Sequence, residues 1–113
     1  MPRKKSEKKA VDLSQVELSA TKTYIELLPQ LEALRGEPIT EDEKVEAAND
    51  AIIKALCKSR NACEAYCEQI SQNYIVRTRV ALSRYFKLEQ IITYVKSAIE
   101  NGKNYEKEIK TNA

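Results

Sequence analysis

From Asn73 to Lys87 the chain reads Asn-Tyr-Ile-Val-Arg-Thr-Arg-Val-Ala-Leu-Ser-Arg-Tyr-Phe-Lys, and no acid occurs between Gln69 and Leu88. Arg77, Arg79, Arg84 and Lys87 are donors without acceptors, so the chemistry they offer is the binding of phosphate or carboxylate. Tyr74, Tyr85 and Phe86 lie among them and offer rings for stacking on bases or for packing. Arg77 and Arg84 are seven apart, which places both on one side of a helix, and by a 100° step that side is the apolar one. A guanidinium in a buried stripe is costly unless it is paired, solvent-reached or anion-bound. Three uses stand open: ion pairs within or between subunits, a nucleic-acid or other anion site, and solvated decoration. A second basic group opens the chain. In residues 1–11, Arg3, Lys4, Lys5, Lys8 and Lys9 are opposed only by Glu7, the pattern of a flexible arm that is either solubilising or phosphate-seeking.

Catalytic chemistry finds no such foothold. The chain has no His, so proton transfer near neutral pH would fall to a perturbed carboxylate, Lys, Tyr or Cys. No Gly-rich phosphate loop or nucleophile motif is present. Cys57, Cys63 and Cys67 lack the CxxC spacing of zinc or redox sites. Cys63 and Cys67 fall on an apolar arc, as small core hydrophobes do, while Cys57 projects off it. The expectation is a non-enzyme without metal or cofactor. No apolar run is long enough to span a membrane, and no apolar segment follows the basic start as a signal peptide requires. With three thiols and no disulfide pattern, the expected location is cytoplasmic, host cytoplasm if the protein is viral.

The elements that must position these residues are helical. Gly and Pro are absent from Ile39 to Asn101, and charged residues make up 32% of the chain, a composition that favours helices over a compact α/β fold. The predicted organisation is a basic arm over 1–11, a helical domain over 12–102 and a polar tail over 103–113. Ser14-x-x-Glu17 has capping-box spacing and opens the first helix. Val16, Ala20, Tyr24, Leu27, Leu31 and Leu34 form its buried stripe. Pro29 predicts a kink or short break, and Arg35-Gly36 a left-handed close. Glu37-Pro38-Ile39 reads as a loop, and Thr40-x-x-Glu43 as a second capping box, with Glu41, Asp42 and Glu43 complementing the helix dipole.

The second helix carries Val45, Ala48, Ile52, Leu56, Cys63, Tyr66, Cys67 and Ile70 in one arc. A third stretch carries Ala81, Tyr85, Leu88, Ile92, Val95 and Ile99, and Asn101-Gly102 ends it. Only Ser71-Gln72-Asn73 look turn-like between them. The fold class is therefore all-α: a short kinked first helix plus two long helices that reverse near 71–74. The rival is one very long helix of about 90 Å burying its stripe on other chains.

So small a core favours a helical bundle or coiled-coil-like homo-oligomer. Acids at 41–50 and bases at 77–87 do not meet by antiparallel folding alone. A neighbouring copy displaced along the axis would bring Glu43 and Glu46 to Arg77 and Arg84, with Ile92, Val95 and Ile99 as apolar interface, giving a head-to-tail ring or stack. On that expectation, reversing Arg77 and Arg84 to Glu weakens assembly, and reversing Glu43 and Glu46 to Lys partly restores it.

The basic start Pro2-Arg3-Lys4-Lys5, the helix ending Leu28-Pro-Gln-Leu-Glu-Ala-Leu-Arg-Gly36 and the opening Ile39-Thr-Glu-Asp-Glu-Lys-Val-Glu-Ala-Ala-Asn-Asp-Ala-Ile52 resemble the small subunits of phage DNA-packaging terminases. The resemblance runs over residues 2–55. It implies a ring-forming, non-catalytic viral protein that binds viral DNA and presents it to a packaging ATPase. The alternative is a small phage or mobile-element interaction protein that inhibits or redirects a host or rival machine through a helical surface.

Overall fold

The computed structural model describes residues 13–62 and 68–112, as four α-helices and one 3₁₀ turn with no strand among them. The protein is all-α, and its helices pack as a bundle. They are α1 (Leu13–Ala33), α2 (Glu41–Ala62), α3 (Glu68–Leu82) and α4 (Leu88–Asn112), with the 3₁₀ turn Leu34–Gly36 closing α1. The arm residues Arg3, Lys4, Lys5, Lys8 and Lys9, and Cys63, Tyr66 and Cys67, lie outside the described residues.

The α1 stripe packs as its spacing requires. Val16, Ala20, Tyr24, Leu27 and Leu31 are buried, and Leu34 is packed against the same cluster. Its principal partner is α4, then α2, while α3 packs on α2. Ala48, Ile52 and Leu56 fill the core from α2, Ile75 and Leu82 from α3, and Leu88, Ile91, Ile92 and Val95 from α4. Cys57 is half-buried against this core rather than projecting clear of it. Ser19 and Ser59 join α1 to α2 through a 2.6 Å hydroxyl contact.

Several expected boundaries move. Ser14 lies inside α1 rather than at its cap, and the helix runs on through Pro29 without a break. Pro29 leaves the Ile25 carbonyl without its helical donor. Ile25 is on the solvent side at 44% exposure, where water can replace that bond. Gly36 does not adopt positive φ. The end of α1 tightens instead into a 3₁₀ turn, and the Lys44 ammonium donates to the Arg35 carbonyl at 2.9 Å.

The largest correction concerns the turn. α3 continues through Ser71, Gln72 and Asn73, so no reversal occurs there, and the single long helix is excluded by a break at residues 83–87. That break contains neither Gly nor Pro and is built by capping. Ser83 Oγ donates to the Val80 carbonyl at 2.7 Å, and the Arg84 and Tyr85 N–H groups donate three residues back. Gln90 Oε1 accepts from the Phe86 and Lys87 N–H groups at 2.9 and 3.2 Å. Glu41 Oε2, from the start of α2, accepts from the Leu88 N–H at 2.6 Å. Two orphan donors at the start of α4, Lys87 and Leu88, and the Phe86 N–H ahead of them are thereby satisfied, and buried Leu82 and Leu88 pin the turn from both sides.

Gly102 does not end the last helix. α4 runs through it to Asn112, so most of the expected polar tail is helical. The glycine is buried where α4 crosses α1, and a Cβ built there would collide with the Thr21 side chain. It permits a close helix crossing, which outweighs its low helix propensity.

Candidate nucleic-acid interface

α3 is 15 residues long and two-faced. Ile75, Thr78 and Leu82 turn inward, and Thr78 Oγ1 donates to the Tyr74 carbonyl at 3.0 Å, so its burial leaves no hydroxyl unmet. Opposite them stand Val76 and Val80, 52% and 53% exposed. Arg77 and Arg79 are two positions apart, hence about 160° apart around the axis, and flank this aliphatic strip on either side. Arg84 and Lys87 follow in the 83–87 connection with Phe86, which is 73% exposed.

The four predicted bases are all exposed, and none of them reaches a carboxylate among the described residues. Arg77 lies over the Tyr74 ring at 5.8 Å, a cation–π contact that steadies the side chain without neutralising it. Arg77 and Arg84 therefore do not sit in the buried stripe. The helix ends at Leu82, and the phase extrapolated to residue 84 no longer applies. Of the expected aromatic surface, only Phe86 is free to stack. Tyr74 is half-buried, and Tyr85 packs against Tyr94 with centroids 5.8 Å apart.

Arg79 also edges a groove of about 590 Å³ between α2 and α3, with Asn49, Asp50, Lys54, Cys57 and Ser83 along it. Asn49 Oδ1 is buried there without a hydrogen-bond partner among the described residues. No group of His, Cys, Asp or Glu that could hold a metal is found among the described residues.

The residues expected at a subunit interface are distributed differently. Ile92 and Val95 are 1% and 0% exposed within the chain's own core, which leaves them no surface for a second copy. They were expected there because an apolar stripe does not state which helix covers it; α1 does. Ile99 is partly buried against the same core. Glu46 is exposed. Glu43 belongs to the Thr40 capping box: its Oε1 accepts from the Thr40 N–H at 2.9 Å, and Thr40 Oγ1 accepts from the Glu43 N–H at 3.1 Å. A Glu43→Lys reversal would break this cap, so it cannot serve as a clean rescue of Arg77 and Arg84.

Sequence reasoning missed Val76 and Val80. Their signal was present as helical phase, since residues 76 and 80 lie opposite 75, 78 and 82. It was hidden because two valines inside a basic run read as core.

No protein-family model matches the chain, and neither a curated protein nor a solved structure matches it. No helix among the described residues is long and apolar enough to cross a membrane.

Proposed function

We propose that this protein is a non-catalytic, oligomeric nucleic-acid-binding adaptor of the host cytoplasm, a small-terminase-like subunit that binds viral DNA and presents it to a packaging ATPase. One observation carries the reading. Arg77, Arg79, Arg84 and Lys87 stay exposed on one acid-free stretch and make no ion pair among the described residues, whereas Arg35 and Lys96 pair with Glu89 and Glu32. Phosphate contacts come from these four residues and from Arg3, Lys4, Lys5, Lys8 and Lys9 on the arm. They are backbone contacts, so binding is largely indifferent to sequence. Ile92 and Val95, buried in the chain's own core, are not available to assembly.

The test is a gel-shift series with two unrelated duplexes across a salt range. Engagement of 6 to 8 phosphates gives a log–log salt slope of about −5 to −7, equal for both duplexes. No shift even at low salt ends the proposal. Sedimentation of the free protein tests assembly, and a compact monomer at micromolar concentration removes the oligomeric part.

A second reading is favoured by Val76, Val80 and Phe86, whose exposed apolar surface among bases suits an acidic protein as well as a phosphate backbone. In this reading the chain is a phage or mobile-element interaction protein that redirects another machine. Nuclease treatment before pull-down separates the two: capture is lost in the first case and spared in the second.

A further inference from the structure

Beside the basic face, α1, α3 and α4 enclose a half-open pocket of about 660 Å³. Four of the six tyrosines in the chain line it: Tyr24, Tyr74, Tyr94 and Tyr105. Glu17 and Asn101 complete its polar edge. Its volume falls in the range of about 300–1,000 Å³ common to small-molecule sites.

Three features restrict what such a pocket can hold. Glu17, a half-buried residue, is the only charged one among the described lining residues, and its carboxylate makes no ion pair or hydrogen bond among them. An anion would be repelled there, and a purely apolar ligand would leave the carboxylate and the hydroxyls poorly solvated. Three of the rings are neighbours: Tyr24 meets Tyr94 edge-to-face at 6.4 Å, and its phenol lies within electrostatic range of Tyr74 and Tyr94. Burial pushes the Tyr24 and Tyr74 phenols well above their ordinary range, so the rings stay neutral. Arg77 rests on the Tyr74 ring from outside the lining, 5.8 Å from its centroid, so one ring of the group already faces a cation.

We infer that this pocket is a binding site for a small organic ammonium group, held by cation–π contact with the tyrosine rings and by the Glu17 carboxylate. The same chemistry is carried by a free quaternary amine and by a methylated lysine side chain.

Because the chain has no Trp, its emission comes from tyrosine, and four of its six tyrosines line this pocket. The full-length protein is titrated with choline, with trimethyllysine and with 3,3-dimethylbutan-1-ol, the uncharged carbon isostere of choline. A saturable change is expected for at least one ammonium, with the isostere about tenfold weaker or more; the tighter of choline and trimethyllysine identifies the source of the group. Glu17→Gln is expected to weaken the ammonium by about tenfold without weakening the isostere. Tyr105→Ala, at a half-buried wall position, is expected to weaken it while preserving the helical circular dichroism. Equal affinity for choline and its isostere overturns the inference, as does a Glu17→Gln variant that binds choline like the parent. So does the absence of any saturable response up to about 100 mM.

Discussion

The junction where α1 ends and α2 and α4 begin can be set beside the outer face of α3, since both are exposed and rich in charge. At the junction almost every charge is used by the chain itself. Arg35 donates to Glu89 through Nε and one terminal nitrogen, at 2.5 and 2.8 Å. Glu41 caps α4, Glu43 closes the box with Thr40, and Lys44 holds the Arg35 carbonyl. On α3 the bases reach no acid at all among the described residues. The difference follows from where helices keep unmet polar groups. Three helix ends converge at the junction, each with orphan N–H or C=O groups that recruit charged side chains. The flank of a helix has its backbone already bonded and offers its side chains to whatever is outside. Glu41 and Glu43 at helix starts are therefore architecture, whereas Arg77 and Arg79 on the helix flank stay exposed.

The comparison breaks most visibly if the free face is inverted. The variant R77E/R79E/R84E/K87E is expected to lose DNA affinity by more than about 100-fold and to shift its thermal midpoint by only a few degrees. A large loss of stability with unchanged binding would assign those residues to the fold. Glu41→Ala should do the opposite. Removing the cap of Leu88 is expected to cost about 1–2 kcal/mol in urea unfolding and to leave the DNA salt slope as it was. Thr40→Ala sharpens the same point at one helix end alone, with an expected loss of about 1 kcal/mol.

The smallest effect is electrostatic. The hydrogen bond from Arg35 holds the Glu89 carboxyl below its usual range. A carboxyl whose folded pKa is depressed contributes its stability above the unfolded value, about 4.3, and loses it as pH falls through the folded value. Both partners are exposed, so the contribution is small and screened. Acid unfolding midpoints of Arg35→Gln and the parent should differ slightly at low salt and converge at 1 M salt. A persistent difference at high salt would show that the pair acts by packing rather than by charge.

Local rules were sufficient wherever a feature is completed by neighbours in sequence. The α1 stripe from Val16 to Leu31, the Thr40-x-x-Glu43 box, the apolar run Leu88, Ile92, Val95 and the all-α class were legible because helical periodicity and capping act over one or two turns. In the candidate site, the same locality exposed the basic run at 77–87 and its lack of acids, but not its valine strip. The break at 83–87 was not legible, since one of its caps, Glu41, is 47 positions from Leu88 and is brought there only by packing. Gly102 was misread for the same reason: its meaning lies in Thr21, on another helix.

By itself, then, the sequence determined the all-α class, the α1 stripe, the Thr40-x-x-Glu43 box and which stretch is basic, because these depend on steps of three and four residues. Only the tertiary structure decided that Ile92 and Val95 belong to the chain's own core, that Glu41 caps α4 and that four tyrosines share a pocket with Glu17. Such assignments depend on which faces of separate helices meet. Burial drives that choice through shape and area summed over the whole bundle, and no local pattern carries the sum.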